Sequence, residues 1–144
     1  MVVLIDTDVL LDFLTDRGIF TKDAKEIIKK SQENVISTYL AAHSITNIFY
    51  ILRKIYSTSE RKQRLIELCR SISVVEIGHE VIFKALNSVE FDDIEDCLQA
   101  ECAEVVNADY IVTRNVADYT HSRVPAILPE NLLKKLEATN GNDN

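Results

Sequence analysis

The chain has 144 residues, a length that favours one domain with a single sizeable core. Its 23 acidic and 16 basic residues give a net charge of −7, which argues against a general cationic coat for nucleic acids but leaves room for a local basic rim. No apolar run approaches the roughly 18 residues of a membrane span, and the N-terminus lacks the features of a signal peptide. We therefore expect a cytoplasmic protein whose three cysteines are buried, reduced thiols.

Short apolar segments alternate with segments of helical periodicity along the chain. The predicted strands are Val2–Ile5, Val35–Thr38, Ser73–Ile77, Tyr110–Thr113 and Ala126–Leu128. The predicted helices are Val9–Leu14, Thr21–Gln32 with Thr21 as its cap, Tyr39–Tyr56, Ser57–Ile72, His79–Asn87, Asp93–Val106 and Pro129–Ala138. This alternation predicts an α/β protein, a three-layer α/β/α sandwich with a mainly parallel sheet of four to five strands. Residues 1–138 are expected to form one domain, and residues 139–144 a flexible C-terminal tail.

Acidic residues stand at places where such a fold forms its sites. Asp6 directly follows the first strand, Asp118 comes after the fourth, and Asp93 and Asp96 share one side of a helix start. Sites in parallel sheets form beyond the carboxyl ends of the strands, so these acids can converge. Two such charges 4 Å apart repel by about 4 kcal/mol at an effective dielectric near 20. A cation such as Mg²⁺ or Mn²⁺ would neutralise them and suits phosphodiester hydrolysis.

Each acid also has a simpler role that the sequence leaves open. Asp6 could cap the next helix, and Asp93 could interact favourably with the dipole of its own helix. Asp8 and Asp12 are expected to be capping or solvated groups. Asp96 lies deeper in its helix, on a face rich in small residues, where a merely solvated role is less favoured.

Four segments of the chain together resemble the successive motifs of PIN domains, a family that includes VapC-type toxins. They are LIDTDVLLDFL, STYLAAHSITNIFYILRK, FDDIEDCLQAECAEVVNADYIVTRN and VADY. The similarity covers nearly the whole chain and keeps the order and spacing of the motifs. It is strongest to a branch with an Asp-x-x-Asp-x-Leu-Gln-Ala helix and a Thr-Arg-Asn-x-x-Asp turn, here Asp93–Ala100 and Thr113–Asp118.

The resemblance implies a PIN-like fold and a ribonuclease that depends on Mg²⁺ or Mn²⁺. It assigns Asp6 and Asp96 as central metal ligands, Asp118 as a further acid near the metal, and Asp93 as an assisting acid. Arg114 is expected to contact a phosphate of the RNA substrate. The supporting polar groups that it assigns are Thr7, Asn47, Thr113 and Asn115. It also implies a cognate antitoxin and a homodimer.

Two residues depart from the family pattern. Asn47 stands where many PIN domains carry an acid, and Asn115 stands where the turn often has Asp. An amide can coordinate a metal but brings no charge, so a catalytically weak or inactive binding module is an alternative. The run from Asp6 to Asp8 also resembles haloacid dehalogenase phosphatases, although no Gly-Asp acid motif follows. The three scattered histidines are assigned no catalytic role.

Overall fold

A parallel five-stranded sheet forms the centre of the protein. The computed structural model describes residues 1–16 and 18–142, and in these ranges the strand order is β3-β2-β1-β4-β5. The strands are β1 Val2–Ile5, β2 Ser37–Ala41, β3 Ser73–Val75, β4 Tyr110–Val112 and β5 Ala126–Ile127. Every pair of neighbouring strands is parallel.

Helices cover both faces of this sheet. They are α1 Thr7–Thr15, α2 Thr21–Gln32, α3 Ala42–Ile51, α4 Thr58–Ser71, α5 His79–Asn87, α6 Ile94–Val105 and α7 Pro129–Gly141. Two short 3-10 segments, Leu52–Lys54 and Val116–Tyr119, complete the described helical structure. The predicted α/β/α fold with a parallel sheet is thus confirmed.

Alternating side chains of β1 face two separate cores. Val3 and Ile5 pack in the core that α1, α2, α3, α4 and α7 cover, while Leu4 packs in a second core with α6. A strand that is buried on both faces explains the unbroken apolar run at the start of the chain. In the second core, the small side chains of Ala100 and Ala103 are buried against the sheet. They allow α6 to approach closely, which brings the first turn of α6 near the sheet edge.

The boundary between the second strand and the third helix differs from its prediction. The strand runs over Ser37–Ala41 instead of Val35–Thr38, and the helix ends at Ile51 instead of Tyr56. Leu40 and Ala41 favour helices intrinsically. Both are nevertheless fully buried in the sheet, and Leu40 and Ala41 lie opposite residues of β3 in a parallel ladder. Burial against the two cores therefore outweighs the local preference.

The structure differs from three further predictions, each of which concerns a single segment or residue. α2 begins at Thr21 itself, whose hydroxyl donates to the Asp12 carbonyl instead of capping the helix. Residues 139–141, predicted to be part of a flexible tail, belong to α7, while residues 143 and 144 lie outside the described residues. The three cysteines are free, but Cys69 is exposed instead of buried. None of the helices in the described ranges is long and apolar enough to cross a membrane.

Candidate active site

The candidate site lies beyond the carboxyl ends of β1 and β4. These strands are neighbours, with Ile5 opposite Val112, so the residues that follow them, Asp6 and Thr113, are brought side by side. The Asp6 amide extends the ladder by donating to the Val112 carbonyl at 2.9 Å. The sheet register therefore determines which side chains meet at this edge.

Asp6 is buried and accepts hydrogen bonds from three directions. Its carboxylate caps α1 by accepting from the Thr7 amide at 2.7 Å, as one of the two alternatives predicted. The other carboxylate oxygen accepts from the Thr113 hydroxyl at 2.8 Å and from the Tyr119 hydroxyl at 2.9 Å. Hydrogen bonds to an ionised acceptor are strong and fix its orientation. Asp6 is consequently held rigidly, with a capping role and a place in the site at the same time.

Tyr119 links Asp6 to Asp96, although the two acids are far apart in sequence. The Tyr119 hydroxyl lies 2.9 Å from Asp6 Oδ2 and 3.4 Å from Asp96 Oδ1. Tyr119 is only 3% exposed. Burial and the charges of these two acids raise the pKa of its hydroxyl, so it remains a donor. The predicted meeting of Asp6 and Asp96 at one sheet edge is therefore present in the structure, around a tyrosine that we did not single out from the sequence.

Asp96 faces a concentration of negative charge. Burial raises the pKa of the Asp96 carboxyl to about 6, and the neighbouring charges of Asp93 and Asp118 add to this rise. The three acids line one open cavity of about 490 Å³. Asp93 caps α6, accepting from the amides of Glu95 at 2.7 Å and Asp96 at 3.4 Å. Asp118 is exposed on the 3-10 segment. Asp93 and Asp118 thus border the open side of the Asp6–Asp96 pair.

Asp8 contradicts the expectation that it is only a capping or solvated group. Its Oδ1 accepts from the Val9 amide, but its Oδ2 accepts from the Arg114 amide at 3.1 Å and from Asn115 Nδ2 at 3.0 Å. Burial raises the pKa of Asp8 to about 6, and the charge of Asp6 contributes. Asp8 therefore anchors the turn after β4 to the start of α1.

Arg114 and Asp12 form an ion pair beside this turn. Arg114 Nε lies 2.7 Å from Asp12 Oδ2, and the guanidinium lies over the Phe20 ring, 4.4 Å from its centroid. Asp12 is thus neither a cap nor merely solvated, contrary to expectation. The Asp12 carboxylate partly neutralises the positive charge of Arg114. Contact between Arg114 and an RNA phosphate stays a prediction.

The remaining supporting groups fall into two clusters. The Thr7 hydroxyl lies 2.9 Å from the Ser44 hydroxyl, and Gln99 Nε2 donates to both, at 3.2 and 3.0 Å. Asn47 Nδ2 donates to Glu95 Oε1 at 2.9 Å, which places Asn47 against the first turn of α6. Ser44 and Gln99 are completely buried, and we did not identify them from the sequence. The sequence did contain one signal: Gln99 lies among the apolar positions of α6, and a buried amide requires a hydrogen-bond partner in the protein interior.

His43 also lies near the acids, although no role was assigned to it. It is half-buried at the start of α3. Burial lowers the pKa of its imidazole, while the negative charges of Glu95 and Asp6 oppose this change. A neutral imidazole beside the acids follows from this balance.

The donor set fits a hard divalent cation held by few protein ligands. Within residues 1–16 and 18–142, no group of three His, Cys, Asp or Glu side chains is arranged to hold a metal ion. Mg²⁺ commonly binds through one or two carboxylates and keeps several waters. Asp6 and Asp96 can supply that number of ligands. Burial is the main cause of the raised pKa of Asp96, and the negative charges of Asp93, Asp118 and Asp6 add to it; a cation bound there would offset that part of the repulsion.

Comparisons with known proteins identify the family and the fold. The family model of the PIN domain matches residues 2–117. The fold is similar to VapBC-1 from nontypeable Haemophilus influenzae, with 13% identity, 90% of this chain and 99% of that chain covered, and a TM-score of 0.65. It is also similar to VapBC2 from Rickettsia felis bound to a promoter DNA fragment, with 12% identity, coverage of 88% and 96%, and a TM-score of 0.62.

A third similar structure is VapC20 from Mycobacterium tuberculosis, a toxin that cleaves the sarcin-ricin loop. It has 10% identity, coverage of 76% of this chain and 86% of that chain, and a TM-score of 0.60. No curated protein matches the chain. At such identities, the similarity to these solved structures demonstrates a shared fold.

Proposed function

Because the chain belongs to the PIN domain family, we propose that it is an endoribonuclease that depends on Mg²⁺ or Mn²⁺. The observation that carries this proposal is the approach of Asp6 and Asp96 to the same Tyr119 hydroxyl at the carboxyl edge of the sheet. Family membership also removes the haloacid dehalogenase alternative. The reaction is hydrolysis of an RNA phosphodiester, which consumes one water and leaves one phosphate end and one hydroxyl end.

Asp6 and Asp96 would hold the metal, with Asp118 as a further acid at the open side. A bound divalent ion lowers the pKa of water and stabilises negative charge on phosphate oxygens. Thr113 fixes the orientation of Asp6 through its 2.8 Å hydrogen bond. Asp118 is exposed beside Asp96, where its carboxylate can accept a proton from the attacking water. Asp93 contributes indirectly, since it caps the helix that carries Asp96.

Cleavage of single-stranded RNA by the wild type and by Asp6→Asn and Asp96→Asn tests this function. We expect cleavage with Mg²⁺ or Mn²⁺, none with EDTA, and none from either variant. Glu137→Gln removes one exposed negative charge on α7 and serves as the matched control. Far-ultraviolet circular dichroism confirms that each variant is folded. Wild-type cleavage rates in both aspartate variants would refute the assignment.

A non-enzymatic PIN-like binding module is the second candidate. The amides of Asn47 and Asn115 favour it, because they reduce the negative charge available to hold a metal. Calorimetric titration with Mn²⁺ separates the two functions. Binding that Asp96→Asn abolishes supports the nuclease, whereas no binding at millimolar metal supports the module.

We also propose a cognate antitoxin as partner, an RNA substrate, a homodimeric assembly and a cytoplasmic location. The resemblance to VapC-type toxins and the VapBC neighbours support the antitoxin. Such a partner would cover the acidic cavity formed around Asp93, Asp96 and Asp118 and would need a basic segment to do so. Light scattering of the purified chain measures the assembly state, and loss of RNA cleavage on adding the antitoxin measures the pairing.

A further inference from the structure

A second cavity lies on the other side of the turn that follows β4. It has a volume of about 350 Å³, within the range of sites for small ligands. We name it the Phe20 pocket, and its main walls are Ile19, Phe20, Arg114, Asn115, Leu128 and Pro129. Arg114 lies two residues after β4 and Leu128 directly follows β5, so the pocket also lies at the carboxyl edge of the sheet, where parallel α/β folds bind ligands.

Residues 113–115 connect the Phe20 pocket to the candidate active site, because they contact groups on both sides. Thr113 donates to Asp6 on one side. Asn115 Nδ2 and the Arg114 amide both donate to Asp8 Oδ2, at 3.0 and 3.1 Å. The same two residues line the pocket. A strand whose phosphate lies at Asp6 therefore has the Phe20 pocket within reach of an adjoining nucleotide.

The walls of the pocket offer flat surfaces for stacking. Phe20 is 44% exposed, and its neighbour Ile19 is 85% exposed. The Arg114 guanidinium lies 4.4 Å from the centroid of the Phe20 ring, and the ion pair with Asp12 holds it there. Aromatic rings and guanidinium planes are the groups on which unpaired RNA bases stack. Phe20 therefore presents part of its ring to solvent beside the candidate active site, at a place where a base can stack on it.

The charge of the pocket favours a base over a phosphate. The carboxylates of Asp23 and Glu130 also line it, and they would repel a phosphate. Carboxylates and the Asn115 amide can instead accept or donate hydrogen bonds at the edge of a base. An uncharged, flat group with polar edges therefore fits the pocket better than an anion does.

We propose that the Phe20 pocket binds one unstacked nucleobase of the single-stranded RNA whose phosphate is cleaved at Asp6 and Asp96. This inference rests on the proposed nuclease function, because that function supplies the strand. It deepens the function by giving the enzyme a base contact next to its reaction centre. The contact would select where along a strand the cut falls.

Binding of RNA to the Asp96→Asn variant tests the pocket without cleavage. The probe is a short fluorescein-labelled single-stranded RNA of randomised sequence, and the readout is fluorescence anisotropy. Adding Phe20→Ala is expected to weaken binding by about 5- to 150-fold, the effect of losing one stacked base. Phe20→Leu keeps an apolar side chain without an aromatic face, so we expect a similar loss. Phe83→Ala, at a phenylalanine 59% exposed on α5, is the control and should leave the Kd unchanged.

An RNA that the wild type cleaves, with one abasic nucleotide placed in turn on either side of the cut, identifies the bound base. One abasic position should reproduce the loss caused by Phe20→Ala, and combining the two changes should add nothing. Unchanged Kd values for RNA in both Phe20 variants would overturn the proposed base pocket. The proposal is equally refuted if the two variants weaken antitoxin binding but leave RNA binding unchanged. If the wild type cleaves no RNA, the nuclease proposal fails, whereas RNA binding that depends on Phe20 would still support the pocket.

Discussion

Replacing Asp96 by Asn should stabilise the protein at neutral pH while it removes metal binding. The Asp96 carboxyl is crowded by the charges of Asp6, Asp93 and Asp118, and its pKa is raised from 3.8 to about 6, mainly by burial. The folded state therefore binds more protons than the unfolded state between these pH values. The free energy of unfolding falls as pH rises through this window. Above about pH 6, the ionised Asp96 lowers the free energy of unfolding by the full amount.

The size of this penalty follows from the pKa rise and from the exposure of the group. A rise from 3.8 to about 6 would correspond to roughly 3 kcal/mol for a fully buried group. Asp96 is only half-buried, so solvent screening reduces the expected gain from Asp96→Asn to about 1 kcal/mol. Asn keeps the shape of the side chain and can still accept from the Tyr119 hydroxyl. For a chain of this length, the gain corresponds to a rise in Tm of about 2–4 °C.

Urea unfolding followed by circular dichroism, with EDTA present, measures this effect. The variant should be more stable than the wild type at pH 7.5, and the difference should shrink at pH 4.5, where the wild-type carboxyl is largely protonated. Glu137→Gln controls for the loss of one exposed negative charge and should show no such pH dependence. A variant that is less stable than the wild type at pH 7.5, or a difference that is equal at both pH values, would refute this electrostatic reasoning.

Three other perturbations follow from the same contacts. Tyr119→Phe removes a buried hydroxyl that donates to Asp6, and it should lower the free energy of unfolding by about 1.5–3 kcal/mol in urea; an unchanged value would mean that this bond contributes nothing. Gln99→Leu removes the donor shared by Thr7 and Ser44 and should cost about 1 kcal/mol in the same assay, with a smaller cost indicating that the two hydroxyls satisfy each other. Saturating Mn²⁺, at about 100 times its Kd, should stabilise the wild type by about 2.7 kcal/mol in thermal unfolding. Asp6→Asn should lose this gain, and an equal gain in the variant would place the metal elsewhere.

Much of the architecture could be predicted from local patterns. The first strand is an unbroken apolar run that ends at Ile5, directly before Asp6, and such a run is typical of a strand buried on both faces. α6 was predicted within about a residue at either end, because its apolar positions repeat at helical spacing. The second strand lies later in the chain than predicted because Leu40 and Ala41 are buried in the sheet, and intrinsic propensity does not indicate this burial.

The details of the site were harder to predict. Tyr119 donates to Asp6 only because a 3-10 segment turns back over the sheet edge. Asp8 became a buried acceptor because β4 places Arg114 and Asn115 above it. Neither contact produces a periodic pattern in the sequence, because each one joins segments that are about a hundred positions apart.

The order of its polar and apolar residues by itself determined that this chain forms a parallel sheet with acids at its carboxyl edge. It did so because burial on two faces requires continuous apolar strands, while acids are tolerated only where those strands end. Only the tertiary structure decided which hydroxyl and amide groups surround those acids and that Phe20 and Arg114 form a pocket beside them. Hydrogen bonds and stacking contacts depend on distances of a few ångströms between distant segments, and those distances exist only once the sheet register and helix packing are set.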